Sequence, residues 1–298
     1  MKTVRLSIFV LLALSFAAPS SAGGKLFMWE ASKGGAVVYL LGSIHMADSS
    51  FYPMDRAIMD AFKKSSALVV EADITNSQNM MASQGDIMEK GVYLDGDSLK
   101  NHLSREAYGK VSNYFNSTGM GMEIANVLRP WAVYLMIEQI EMQKLGLDPE
   151  LGIDLHFLKK AGIQGKDIEE LESVSFQIEL ISSFSDKLQE GLILSTLNEM
   201  ASMRDSVRTI IQCWKTGNSD LMETVLFSGL RKNPGLAPIY EKMFFDRNEG
   251  MADKIDGMAS PGRSLFVVVG AGHLLGDGGV VSLMEDKGYD ISQFASRN

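Results

Sequence analysis

The sequence predicts an α/β fold in which the N- and C-terminal segments build one mainly parallel sheet and a large helical region is inserted between them. Three short apolar runs rich in β-branched residues support the sheet: residues 36–41, 67–73 and 264–269. They lack the alternation of polar and apolar residues, which is typical of strands covered on both faces. Between residues 99 and 258 apolar residues recur at three- and four-residue spacing, which predicts helices.

The first two runs flank a segment, "FYPMDRAIMDAFKKSS", whose pattern predicts one amphipathic helix. Pro53 suits a first helical turn, and Ile58, Ala61 and Phe62 form an apolar stripe. Strand, helix and strand in succession favour a parallel pair with a right-handed crossover. The following segment, residues 74–91, has few strand formers and predicts a surface loop or a frayed helix. At the other end of the chain we expect a short helix and a last strand at 289–291.

The first 22 residues are predicted to be a signal peptide. Lys2 and Arg5 precede an apolar stretch, residues 6–18, that is too short to span a bilayer comfortably, and small residues end at Ala22. An uncleaved anchor is the alternative. We therefore expect export to the periplasm or the cell exterior, with no stable membrane anchor after cleavage. One domain is predicted over residues 23–298, with its sheet core in 25–75 and 260–298 and its helical region in 97–258.

Charge and cysteine content disfavour several classes of function. The 298-residue chain has a net charge of −9, and loss of Lys2 and Arg5 would make it −11. Such acidity disfavours nucleic acids and anionic membranes as partners. Cys213 is the single cysteine and lies beside Trp214 on a predicted helix, where a small core residue is a better interpretation than a nucleophile. The 19 methionines fit core packing better than copper binding.

Two of the apolar runs end in the same GxxH motif, "GSIH" with His45 and "GAGH" with His273, and Glu71 follows a third apolar run. Because ligands of open α/β sheets bind beyond the carboxyl ends of the strands, these side chains would converge if their strands are neighbours. Gly42 and Gly270 would permit a sharp turn or a close ligand approach. Two imidazoles and one carboxylate predict a divalent-metal site with open positions for water, and therefore hydrolysis. Alternatively, each histidine is a hydrogen-bonded loop residue and Glu71 caps a helix or pairs with a lysine.

Arg247 is the fourth candidate, because it lies on an apolar stripe of one predicted helix. There it either meets an anionic partner, such as a site carboxylate or a substrate group, or extends to solvent. His102 lies in a polar helix start and is predicted to be solvated. His156 is predicted to be structural. Asp154 could start a helix or accept a hydrogen bond from a ligating histidine.

Taken together, these segments resemble the TraB/GumN family, which includes the Tiki type of metal-dependent proteases. The motifs that carry the resemblance occur in family order: "LLGSIHMADSSFYP", "ALVVEADI", "LRPWAVYLMIEQIE", "LGIDLHFLKKA", "GKDIEELESVSFQ", "DRNEGMADKI" and "VVVGAGHLLGDGGVVSLMEDKGYDI". The resemblance implies a fold of the erythromycin esterase and ChaN-like type. It assigns His45, His273 and Glu71 to the site, with Arg247 as a supporting polar group. One departure, "GKDIEELES", leaves the strand near Lys166 unassigned.

The resemblance implies several activities, because Tiki-type members resemble metalloproteases, TraB-type members are linked to peptide pheromone shutdown, GumN-type members are named for a polysaccharide gene cluster and ChaN-like relatives bind haem. The leading hypothesis is an exported hydrolase, most simply a peptidase, in which His45 and His273 bind Mn, Co, Zn or Fe. Glu71 would be a third ligand or a general base, and the substrate a peptide or a small molecule. The alternatives are a non-catalytic haem- or peptide-binding protein and a two-histidine, one-carboxylate Fe(II) oxygenase.

The signal-peptide prediction can be tested directly. We expect the mature protein to begin at or near Gly23, because Ser20 and Ala22 supply the small residues that precede a cleavage site. N-terminal sequencing of the exported product checks this, and a product that retains Met1 would contradict it.

Overall fold

A computed structural model describes residues 24–94 and 96–296, so the predicted signal peptide lies outside the described residues. Its centre is one six-stranded sheet with the spatial order β4-β3-β5-β2-β1-β6. The strands are β1 (Lys25–Lys33), β2 (Ala36–Ser43), β3 (Ala67–Val70), β4 (Asp167–Glu170), β5 (Ser264–Gly270) and β6 (Asp290–Ala295).

The helices alternate with the strands at the two ends of the chain and fill the region between them. In chain order they are α1 (Arg56–Lys64), α2 (Ser77–Gly91), α3 (Arg105–Thr118), α4 (Met122–Asn126), α5 (Pro130–Lys144), α6 (Ile153–Gln164), α7 (Val174–Ser182), α8 (Asp186–Thr216), α9 (Ser219–Leu226), α10 (Ser228–Lys232), α11 (Ala237–Tyr240), α12 (Asp246–Met258) and α13 (Val280–Asp286). One π-helical turn, Glu241–Phe245, leads directly into α12.

Parallel pairing dominates the sheet, as predicted. β2 pairs with β5, β5 with β3 and β3 with β4, all in parallel, whereas β1 is antiparallel to β2 and to β6. The predicted α/β fold, with its mainly parallel sheet and large helical region, is confirmed. The first two predicted strands are parallel but not adjacent, because β5 lies between them. Residues 265–269 of β5 are fully buried, so the most apolar run takes the centre of the sheet.

Two elements differ from the sequence prediction for identifiable reasons. β1 was not predicted, although Gly34 and Gly35, both at positive φ, form the two-residue turn that joins it to β2. A Gly-Gly pair between strands is a hairpin signal. Residues 77–91 form a regular helix, α2, because the Asn76 side chain accepts hydrogen bonds from the backbone N–H groups of Gln78 and Asn79 at its start.

The buried apolar side chains of the described residues form three clusters, the smallest of which is Trp131, Ile178 and Ile181. The largest one surrounds the sheet and includes Cys213, whose burial agrees with a packing role. The second lies within the helical region, where α3, α4, α5 and α8 bury residues such as Phe115 and Ile137. Within the described ranges, no helix is long and apolar enough to cross a membrane.

Gly42, the glycine of the first GxxH motif, is required by packing rather than by a turn. A Cβ atom at this position would overlap the Phe27 ring and lie 3.2 Å from Ala271 Cα. The Gly42 carbonyl oxygen also accepts a hydrogen bond of 2.7 Å from Trp214 Nε1. β1, α8 and the segment after β5 therefore close around this one residue.

Replacing Gly42 by alanine should destabilise the fold by about 1–3 kcal/mol, because the new methyl group overpacks a buried contact. Urea unfolding followed by circular dichroism measures the change. The matched control is Gly85→Ala in α2, where a Cβ atom would meet nothing within 4 Å. This control should stabilise the chain by about 0.4–1 kcal/mol, and a Gly42→Ala variant as stable as the control would contradict the prediction.

Candidate functional site

Three predicted side chains meet where β2, β3 and β5 end, around Gly270. A Cβ atom on Gly270 would lie 3.2 Å from Glu71 Oε1. The same point would be 3.5 Å from His45 Nε2 and 3.5 Å from His273 Cδ2. The absence of a side chain at Gly270 thus keeps the space between the two imidazoles and the carboxylate open, which is the close-approach role expected for this glycine.

Glu71 is buried and holds its carboxylate by hydrogen bonds on both oxygens. Oε1 accepts a bond of 2.6 Å from the Gly270 N–H, and Oε2 accepts bonds of 2.8 Å from Arg247 Nη2 and 3.0 Å from Gln177 Nε2. Burial alone raises the pKa of Glu71. His273, His45, the Arg247 charge and the Gly270 N–H outweigh it and lower that pKa to about 2. Glu71 is therefore a charged carboxylate at neutral pH.

Arg247 points into the protein and does not extend to solvent, which decides between the two orientations that the sequence left open. It is 8% exposed, and its Nε and Nη2 atoms donate to the two oxygens of Glu172 at 2.9 and 2.7 Å. A third hydrogen bond runs from Nη1 to the Met243 carbonyl oxygen at 2.9 Å. The guanidinium thus joins Glu71 to Glu172, a two-carboxylate arrangement that its planar fork fits well.

Glu172 is a site residue that the sequence analysis missed. It follows β4, and its backbone N–H donates to the Glu71 carbonyl oxygen at 2.7 Å, so the two glutamates lie side by side at the ends of neighbouring strands. The strand-end rule that identified Glu71 applies to Glu172 only if β4 is known to be a strand. The segment "DIEELES" contains too few apolar residues for the sequence to predict that strand.

His273 is buried, and one of its two ring nitrogens is engaged in a hydrogen bond. Nδ1 lies 2.6 Å from Asn248 Oδ1, and Nε2 lies 3.8 Å from Glu71 Oε1. Burial lowers the pKa of His273 to about 4, which outweighs the opposing effect of Glu71. The imidazole is therefore neutral at pH 7, the state that a metal ligand or proton acceptor requires.

His45 lies at the mouth of the site, with 67% of its side chain exposed. Its Nδ1 is 2.8 Å from Asp154 Oδ2, and the same oxygen accepts a hydrogen bond from the Ser43 hydroxyl. The Asp154 charge raises the pKa of His45, an effect that water screens at so exposed a position. Asp154 is thus both a first-turn residue of α6 and the acceptor for a site histidine.

The other two histidines lie outside the site. The prediction that His102 is solvated holds in part, because 23% of its side chain is exposed and its ring lies between Asp97 and Asp186, at 2.8 and 2.7 Å from their Oδ2 atoms. His156 packs against the ring of Tyr52, and burial lowers its pKa to about 4, which agrees with a structural role.

The site forms the polar floor of a cleft of about 560 Å³. Its apolar lining includes Ile44, Trp131, Leu135, Ile178, Ile181, Met243 and Phe244. A second cleft, of about 590 Å³, adjoins it and shares Arg247. An apolar cleft with a few convergent polar groups is typical of small-ligand and substrate sites.

The side chains around Gly270 suit a divalent cation. Both imidazoles use Nδ1 for a hydrogen bond and turn their other edge toward the space beside Gly270, here called the Gly270 space. Glu71 Oε1 borders the same space. Over residues 24–94 and 96–296, however, no group of three or more His, Cys, Asp or Glu side chains is arranged to hold a metal ion. Both oxygens of Glu71 also accept hydrogen bonds from N–H groups. The metal site with three protein ligands therefore stays a prediction.

A sequence model of the TraB/PrgY/gumN family matches residues 27–293. The chain belongs to this family. The match begins within β1, ends within β6 and includes all the site residues named above, so the resemblance seen in the sequence is confirmed.

Similar proteins extend the comparison. The chain is 27% identical to the uncharacterized protein YbaP of Escherichia coli (strain K12) over 251 residues, which cover 83% of this chain and 87% of YbaP. It is 21% identical to a metalloprotease TIKI homolog of Nematostella vectensis, with 85% of this chain and 64% of the relative covered. For metalloprotease TIKI2 of Danio rerio the identity is 20%, with 85% and 57% covered. No solved structure matches the chain.

The low pKa of His273 predicts a pH-dependent stability. In the folded chain this pKa is about 4, against an ordinary value of 6.5, so between these values the unfolded chain binds a proton that the folded chain does not. The stability linked to His273 is therefore complete above about pH 6.5 and lost as the pH falls toward 4. Between pH 7 and 5 it should fall by on the order of 2 kcal/mol in metal-free protein.

Urea unfolding of the wild type and of His273→Gln at both pH values isolates this contribution. We expect the variant to lose less stability on acidification, whatever its stability at pH 7. His102→Gln is the control with the opposite sign, because the hydrogen bonds that its ring donates to Asp97 and Asp186 raise the pKa of His102. Identical pH dependence in the wild type and His273→Gln would contradict the prediction.

Proposed function

We propose that this member of the TraB/PrgY/gumN family is an exported, metal-dependent hydrolase that acts on peptides. The observation that carries the proposal is the convergence of His45 Nε2, His273 and Glu71 around Gly270 at the floor of a largely apolar cleft. The relatives named as metalloproteases support the same reaction class. Export rests on the signal peptide predicted for residues 1–22.

His45, His273 and Glu71 would hold the ion, and Mn, Co, Zn or Fe suits a set of two imidazoles and one carboxylate. Once bound, such an ion acts as a Lewis acid and lowers the pKa of a coordinated water from ~15.7 to about 7. The protein contributes the orientation of the ligands. Each histidine Nδ1 has an acceptor, Asp154 or Asn248, as is usual for metal-binding histidines.

The surroundings of Glu71 favour a ligand role over the general-base role that the sequence left open. Oε2 is engaged by Arg247 and Gln177, so it has little freedom to receive a proton from water. A carboxylate whose pKa is about 2 is also a weak proton acceptor. Oε1, with its single N–H donor, is the oxygen on the side of the imidazoles.

Arg247 would act by fixing Glu71 rather than by touching the substrate. Its guanidinium is shared between Glu71 and Glu172, and truncating it would leave two buried carboxylates without their counter-ion. Lysine cannot replace it, because a single ammonium group cannot reproduce the bidentate contact with Glu172.

Peptide digestion with and without a chelator tests the proposal. We expect hydrolysis to stop after chelation and to return when Mn²⁺ or Co²⁺ is added. His45→Ala and His273→Ala should lower kcat/KM by on the order of 10²-fold or more, because metal-assisted catalysis supplies several kcal/mol of transition-state stabilisation. A peptide library analysed by mass spectrometry measures both effects.

His102→Ala is the matched control, since His102 also contacts carboxylates but lies in the helical region; it should retain full activity. Hydrolysis that survives chelation would rule out the metal-dependent mechanism. Binding of haem, seen as a Soret band, or of peptide without any turnover would instead establish the non-catalytic binding protein.

A further inference from the structure

The glycine-rich loop after the second GxxH motif, "GDGG" at residues 276–279, is not among the segments that line the cleft of the site. It is joined to the site through one side chain, Asn248 of α12, which is 1% exposed. Asn248 Nδ2 donates a hydrogen bond of 2.7 Å to the Gly278 carbonyl oxygen. Asn248 Oδ1 lies 2.6 Å from His273 Nδ1.

The Gly278 carbonyl oxygen determines which way the Asn248 amide faces. A carbonyl oxygen accepts hydrogen bonds and cannot donate them, so the NH₂ group of Asn248 must face Gly278. The amide oxygen then faces His273, and it too can only accept. His273 Nδ1 must therefore carry the proton of this contact, which leaves Nε2 as the nitrogen with a free lone pair in the neutral ring.

The two last glycines of the loop are needed to bring this carbonyl group into place. A Cβ atom on Gly278 would lie 2.9 Å from the Phe245 ring, and one on Gly279 would meet the Leu275 backbone oxygen at 2.5 Å. Both distances are shorter than van der Waals contact. The loop can pack this closely against Phe245 and the chain after His273 only with glycine at both positions.

We propose that Asn248, held by the Gly278 carbonyl group, is a positioning residue that fixes His273 as the Nδ1–H tautomer and keeps the Nε2 lone pair directed into the Gly270 space. Without the Asn248 oxygen, the Nδ1 proton loses its acceptor, whereas a proton on Nε2 would face the Glu71 carboxylate, whose Oε1 lies 3.8 Å from Nε2. The proton would then move to Nε2 and obstruct the ligand position. The hydrogen bonds alone support the assignment of the Nδ1–H tautomer, whereas the benefit of this tautomer to metal binding rests on the proposed function.

Nitrogen-15 NMR of metal-free, histidine-labelled protein at pH 7.5 reads the tautomer directly. The chain has four histidines, and the His273 signals are those missing from a His273→Gln spectrum. We expect wild-type His273 to be protonated on Nδ1 and unprotonated on Nε2. A wild-type ring protonated on Nε2 overturns the inference without the need for any further variant.

Two substitutions at Asn248 separate positioning from packing. Asn248→Leu removes both hydrogen bonds and should shift His273 toward the Nε2–H tautomer. Asn248→Asp loses the donor to Gly278 but keeps an acceptor for His273, so the Nδ1–H tautomer should be retained. A merely structural Asn248 would make the two variants alike in tautomer, and that result overturns the inference.

Calorimetric titration with Mn²⁺ or Co²⁺ provides the second readout. Asn248→Leu should bind about 10- to 100-fold more weakly than the wild type, with Asn248→Asp closer to the wild type. The control is Asn198→Leu on the exposed face of α8, which should change neither tautomer nor affinity. If the wild type binds neither ion, the proposed function fails, while the NMR result still decides the role of Asn248.

Discussion

The structure of the site depends on the burial of one carboxylate, Glu71, at the end of β3. A buried charge must be matched by hydrogen bonds and an opposite charge, because its hydration is lost. Gly270, Gln177 and Arg247 supply these partners from β5, α7 and α12. Removing any one of them leaves part of the charge unpaired, so the four elements are held together by a single electrostatic requirement.

Glu172 changes the charge balance around Glu71. Two carboxylates share one guanidinium, and Gln177 Nε2 donates to both of them at 3.0 Å. With His273 neutral, the buried cluster has one excess negative charge. Such an excess is costly in a low-dielectric interior and favours a bound cation nearby. This charge balance agrees with the cation of the proposed function.

The sequence was informative where apolar runs ended in polar residues. Parallel strands place their carboxyl ends at one edge of the sheet, which is why His45, Glu71 and His273 could be predicted to lie together. A run such as "SLFVVV" strongly favours a buried strand. Arg247 was selected because a charge on an apolar helix face needs a partner. The fold class followed from the same runs.

Partners supplied by the helical region could not be predicted in this way. Gln177 and Asn248 lie in helices with no pattern that marks them as polar contacts, and they acquire their roles only when α7 and α12 pack on the sheet. Glu172 could not be predicted because the strand before it, β4, is rich in charged residues. The pairing of β4 with β3 overrides the poor strand propensity of β4. Spacing along the chain says little about such contacts, since Gln177 is 106 residues from Glu71 and Glu172 is 75 residues from Arg247.

The central position of β5 has a consequence for the order of assembly. β2 and β3 are made early but cannot complete the sheet, because the strand that separates them is almost 200 residues further along the chain. Contacts of such long sequence separation form late and slowly. The helical region, with a hydrophobic core of its own, can fold in the meantime. The two histidines therefore stay apart until the segment that contains β5 has been made, so the side chains around Gly270 cannot come together earlier.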